Sequence, residues 1–216
     1  MSPLRGIALK LGAITLFSAM AALIKAGVAH VPTGEAVFFR SFFAMPVIVA
    51  WLAIRGDLST GLKSAQPMGH VWRGLIGVTA MGCGFAALGL LPLPEVTALG
   101  YAAPLLTVIF AALLLGERIR LFRMSAVALG LVGVMVVLWP RLSFDDLTGP
   151  ATLGVALVLM SAVFRALAQI HIRRMVRTEE TSAIVFYFSL TATLFSLFTA
   201  PFGWVWPEPT ILTGLI

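Results

Sequence analysis

The chain carries a single cysteine, Cys83. It lies inside an apolar run, so no disulfide framework holds the fold and cysteine usage says nothing about redox compartment. Charge is almost as scarce. Charged residues are 11% of 216 positions, only nine of them acids, against 60% apolar residues. With a mean hydropathy of +1.02, a soluble chain of this length would leave more apolar surface than one core could hide, which excludes an ordinary globular domain.

Other absences narrow the chemistry. No glycine-rich loop ending in Lys-Ser or Lys-Thr is present, so the chain has no ATP-hydrolysing site of its own, and no His-Glu-x-x-His motif occurs. No serine and histidine both sit at membrane depth as in an intramembrane hydrolase. Asp145-Asp146 lacks the partner carboxylates of a metal-diphosphate site. No cofactor or metal is therefore expected, and Cys83, His30 and His70 are assigned to packing or loops. The net charge of +6 is strewn between apolar runs rather than gathered in one patch, which argues against nucleic acid.

What is there is a succession of apolar runs. They cover residues 6–28, 33–53, 74–91, a fourth that opens on Leu91-Pro92-Leu93-Pro94-Glu95 and ends at Leu115, then 124–139, 151–172 and 183–202. Each has about the 20 residues that cross a hydrocarbon core of about 30 Å as a helix. The expected fold is an all-α polytopic membrane protein, with seven spans and the start of an eighth at residues 211–216. The first run is short enough for a signal core, but Lys25 ahead of Gly27-Val28-Ala29 argues for a retained span. Residues 55–73 read as a polar loop. Gly74, Gly77, Ala80 and Gly84 make a small-residue face that puts the third helix at the centre of the bundle; Ala126, Gly130 and Gly133 are expected to do the same for the fifth.

Lysines and arginines set the orientation. Arg5, Lys10, Arg55, Lys63, Arg73, Arg118, Arg120, Arg123, Arg173, Arg174 and Arg177 fall on one side, and Arg141 alone on the other. This places the amino terminus in the cytoplasm. The tryptophans agree, with Trp51 and Trp72 at the inner interface and Trp139, Trp204 and Trp206 at the outer.

Sliding the chain by 148 residues lays Gly6, Ala8, Leu9, Leu11, Ile24, Val28, Thr33, Val37, Phe38, Ser41 and Ala44 on identical residues without a gap, and Lys25 on Arg173. Five spans separate the copies, so the second enters the membrane from the other side. Inverted repeats of this kind mark alternating-access transporters, with the substrate site at the repeat interface near mid-membrane.

Residues 1–140 resemble one EamA domain of the drug/metabolite transporter superfamily. The resemblance rests on Lys25 at the end of the first span, Glu35 and Arg40 on the second, Pro94, Ala98 and Pro104 through the fourth, and Leu115-Gly116-Glu117 closing it. Residues 151–216 resemble the first part of a second domain, after a periplasmic linker at 141–150; the second proline and Leu-Gly-Glu pattern is not reached. The resemblance implies two inverted five-helix repeats in the bacterial inner membrane, moving small metabolites or drugs without ATP. A membrane assembly subunit, a half-transporter completed by a partner such as a second copy in a homodimer, and a membrane-embedded enzyme are the alternatives.

The candidate site follows from charge at depth. Arg165 lies roughly 20 Å into the sixth helix, where a lipid-facing arginine costs about 2.5–3.5 kcal/mol, so it should face the bundle. Ser161, Arg165 and Gln169 form one polar stripe. Arg165 then either lines a cavity for anionic or zwitterionic substrates or caps carbonyls structurally. Arg40 meets the same argument less forcefully. Lys25 either snorkels, pairs with Glu35, or joins the cavity. Pro94, Gly100 and Pro104 weaken the fourth helix, either as a gating kink with Tyr101 as a ring and hydroxyl for substrate or as a bend for packing. Glu117 and Arg118 read as a cytoplasmic hairpin ion pair rather than a gate. The lipid bilayer is the expected surrounding partner.

Overall fold

The protein is seen in a computed structural model that describes residues 3–27, 32–116, 121–139 and 149–204. The Glu117–Arg118 pair, His30, Arg141, Trp206 and the eighth helix at 211–216 lie outside the described residues, as does most of the linker. Among the described residues every regular element is helical: α1 (Pro3–Gly27), α2 (Thr33–Arg55), α3 (Leu58–Gly61), α4 (Pro67–Leu90), α5 (Leu93–Gly100), α6 (Ala102–Leu115), α7 (Leu121–Leu138), α8 (Pro150–Met175) and α9 (Thr181–Leu197), then a 3-10 turn at Ala200–Phe202. Leu4–Ala26, Thr33–Arg55, Pro67–Leu90, Leu93–Leu115 and Pro150–Met175 are long and apolar enough to cross a membrane. Met124–Val136 and Thr181–Leu197 are shorter apolar helices. This is a polytopic helical membrane fold.

Prolines and glycines punctuate it. Pro67 and Pro150 open α4 and α8, where a missing amide costs nothing. Gly56 and Gly116 end α2 and α6 at φ 74° and 66°, a left-handed turn that a side chain would strain.

The centre is α4 against α8. α9 packs on α2 and α4, α6 and α5 pack on α8, and α7 rests on α5 and α6. The small-residue face of α4 makes this possible. A Cβ on Gly74 would overlap the side chain of Thr191, one on Gly77 that of Phe188, and one on Gly84 would stand 3.1 Å from Ser161 Oγ. The N-terminal half of that face therefore seats α9 and the C-terminal half seats α8. α7 departs from expectation: a Cβ on Gly130 would meet Leu105, but one on Gly133 would have nothing within 4 Å among the described residues, and Ala126 is exposed. α1 is likewise exposed along most of its length.

Two boundaries differ from the sequence reading. The loop expected at 55–73 contains α3 and the first two turns of α4, so His70 and Arg73 are helical. The Glu179 carboxylate accepts the amides of Ala65 (2.8 Å) and Gln66 (2.6 Å) at the entry to α4, an acceptor that only the fold brings there. The seventh run, expected to continue to residue 202, stops being α-helical at Leu197 because Pro201 cannot donate to the carbonyl four residues earlier.

Candidate functional site

The polar stripe on α8 meets the small-residue face of α4. Ser161 is fully buried and donates to the carbonyl oxygen of Ala80 at 2.6 Å. Its oxygen in turn accepts from Arg165 Nε (3.0 Å) and Nη2 (2.8 Å). Glycine at 84 leaves room for this, since a Cβ there would lie 3.2 Å from Arg165 Nη2 and make it shift by a few tenths of an ångström. The remaining guanidinium nitrogen, Nη1, reaches toward Gly100, 3.7 Å from where its Cβ would stand. Arg165 thus reaches from α8 toward α4 and α5, and among the described residues its hydrogen bonds go to Ser161, with part of its donor set unspent. Gln169, one turn on, is exposed beside it on the same face of α8.

Gly100 is where the fourth span breaks. α5 ends at Gly100, Tyr101 is the junction, and α6 begins at Ala102. Pro104 has no amide to give the carbonyl of Gly100, its partner in an unbroken ladder. The residues expected to kink this span therefore flank an interruption, and the interruption faces Arg165.

Arg40 approaches α4 one turn away. Its Nε donates to Met20 Sδ at 3.2 Å and its Nη1 to Met81 Sδ at 2.7 Å. Thioethers are weak acceptors and carry no charge, so this guanidinium is held without being neutralised. Met81 and Gly84 are a helical turn apart on α4, and positions so spaced have Cβ atoms about 5–6 Å apart. The fold therefore brings Arg40 and Arg165 to neighbouring positions of one helix.

Tyr101 and Lys25 are placed elsewhere. Tyr101 is 65% exposed and lines an open apolar groove of about 550 Å³ with Pro94, Thr97 and Ala98 of α5 and Gly130 and Gly133 of α7. It does not share Arg165's space. Lys25, expected to snorkel or to stand beside Glu35, has its ammonium on the carbonyl oxygens of Leu88 and, at 2.9 Å, Leu91. Glu35 is buried in the first turn of α2.

A second polar cluster escaped the sequence reading. Glu179, in the turn between α8 and α9, takes the Ala65 and Gln66 amides and faces His70 Nε2 at 3.2 Å. The His70 ring packs on Tyr187, centroids 4.6 Å apart, and Tyr187 donates to the Leu62 carbonyl at 3.0 Å. Burial alone would raise the Glu179 carboxyl, but the His70 ring against it and hydrogen bonds from the Gln66 and Ala65 amides favour the carboxylate and hold it below its ordinary value. The sequence signal is an acid two residues past the basic corner Arg173, Arg174 and Arg177.

Among the described residues no group of three or more His, Cys, Asp or Glu could hold a metal ion. The chain spans 65% of the length of the pseudopaline exporter of Pseudomonas aeruginosa, to which it is 33% identical over 192 residues, 89% of its own length. It is 28% identical over 174 residues to the S-adenosylmethionine uptake transporter of Rickettsia prowazekii, covering 81% of this chain and 56% of that protein. A solved crystal structure superposes with a TM-score of 0.72 at 26% identity, over 99% of this chain and 73% of the other. The helices that carry Arg40, the small-residue face and the broken fourth span all lie within residues 4–139, which match the model of the EamA-like transporter family, and the chain belongs to that family.

Proposed function

We propose that the chain belongs to a secondary transporter that moves small anionic or zwitterionic metabolites across the bacterial inner membrane by alternating access, with its amino terminus in the cytoplasm. Residues 1–140 form one repeat and residues 151–216 the beginning of its inverted partner. The observation that carries this reading is Arg165, whose guanidinium is anchored by a neutral serine, partly unspent, and set against the break between α5 and α6. An intramembrane cation whose hydrogen bonds, among the described residues, go to a neutral serine favours an anionic group arriving beside it. Arg40, held by two thioethers a turn away along α4, adds a second positive centre. Gln169 supplies an amide on the same stripe. The α5–α6 break provides a joint about which half a span can tilt as access alternates. The related proteins named as exporters and uptake transporters support the class of activity.

The test is flux into proteoliposomes holding the full-length protein, without nucleotide, using labelled S-adenosylmethionine together with a panel of amino acids and carboxylates. The expected result is uptake of at least one of them above empty liposomes, at least tenfold slower in Arg165→Ala and partly kept in Arg165→Lys. Unaltered flux in Arg165→Ala removes the role assigned to that residue. A protein that moves none of the panel points to the assembly-subunit alternative.

A further inference from the structure

The corner between α4 and α5 is short of hydrogen-bond donors. The last ladder bond of α4 runs from the Leu91 amide to the Ala87 carbonyl at 2.8 Å. The next in register would join residue 92 to Leu88, but residue 92 is proline and has no N–H. The preceding residue is forced out of the helical region, and Leu91 is extended at φ −123°, ψ 154°. The amides of Glu95 and Val96 both go to the Pro92 carbonyl, leaving Leu91's carbonyl without a ladder partner from α5. Two carbonyls, Leu88 and Leu91, are thus stripped of ladder donors inside an apolar environment, where an unsatisfied polar group is costly. They are the two that receive the ammonium of Lys25.

We infer that Lys25 is a positioning residue whose ammonium replaces the backbone donors that Pro92 withholds, and that it thereby fixes the α4–α5 corner and the tilt of the half-helix α5. Three further observations fit. Leu91 is 1% exposed and packs against Gly154 of α8, where a Cβ would lie 2.7 Å from Leu91 Cγ, so the corner is wedged into the central helix pair. The other end of α5 is Gly100, which faces Arg165, so any swing of α5 about this corner changes what Arg165 meets. Finally, α1 is mostly exposed along its length, which makes the lysine clamp a directed tie between α1 and the bundle centre. This role does not depend on the substrate. It also removes Lys25 from the substrate-binding set, because a lysine with two carbonyl acceptors in place is already engaged.

The test needs no substrate. In a Cys83→Ser background, Leu91→Cys places a thiol at the corner, and its alkylation by a small maleimide is followed in membrane vesicles containing the protein. Lys25→Met is expected to accelerate labelling on the order of tenfold, the factor equivalent to losing one charge-assisted hydrogen bond, while Lys25→Arg, which keeps a cationic donor, stays near the parent rate. Labelling at the parent rate in both variants would overturn the inference, because a lysine that only meets substrate leaves the empty protein unchanged. Equal acceleration in both would also overturn it, since bulk rather than donation would then set the corner. Where a transport substrate is in hand, Lys25→Met should lower the maximal rate and leave KM within about twofold, the pattern of a lost positioning contact rather than a lost substrate contact.

Discussion

His70 and Glu179 lie 109 positions apart in sequence and 3.2 Å apart in space, with side chains 4% and 0% exposed. The pair closes one end of the bundle, tying the start of α4 to the turn between α8 and α9. Because the folded state holds the Glu179 carboxyl below its ordinary value, the sign of its pH dependence is set. Its contribution is fully present above the unfolded carboxyl value of about 4.3 and is lost as pH falls through the lower folded value. Thermal unfolding in detergent from pH 7 to pH 3 should show stability falling on that acid limb, and Glu179→Gln should flatten it. At neutral pH, Glu179→Ala is expected to cost roughly 3 kcal/mol, because a buried partner and two backbone amides lose their acceptor.

Gly84 is the gap through which Arg165 meets Ser161. Gly84→Ala should force the guanidinium or the serine to shift by a few tenths of an ångström, and Gly84→Val should displace Arg165 from Ser161, at a cost of about 1–3 kcal/mol. Thermal unfolding ranks the variants, and a transport assay should find Gly84→Val as impaired as Arg165→Ala.

Small residues on α4 and α7 separate cleanly into those that pack and those that do not. Gly74→Val collides with Thr191 and should destabilise by at least about 2 kcal/mol. Gly133→Ala meets nothing within 4 Å among the described residues and should be neutral or stabilising by up to about 1 kcal/mol through the helix propensity of alanine. Equal effects at the two positions, read by unfolding in detergent, would show that α7 packs more tightly than it does here.

Arg40 touches thioethers where a carboxylate would neutralise it. Arg40→Met should therefore fold and unfold at least as stably as the parent, since an uncompensated cation leaves an apolar site, while lowering flux of anionic substrates at least tenfold. Loss of stability together with loss of flux would make Arg40 a structural residue.

Much of this protein is legible from one-dimensional pattern. Run length and the scarcity of charge determine that helices cross a bilayer, because the thickness of hydrocarbon and the rise of a helix leave little choice. The glycines of α4 mark its central place for a similar reason: close approach demands small side chains wherever it occurs. Arg165 stands out because charge at that depth is costly. Partnership is what the pattern does not contain. Glu179 reaches Ala65 and Gln66 across more than a hundred positions, Lys25 finds carbonyls whose lack of donors is visible only once Pro92 is set in a corner, and Gly133 repeats the spacing of Gly130 without a neighbour to meet. Sequence periodicity assigns a face to a helix. Which helix that face meets, and which unpaired group each polar side chain satisfies, is decided by packing in three dimensions, where hydrogen bonds form by distance and not by order along the chain.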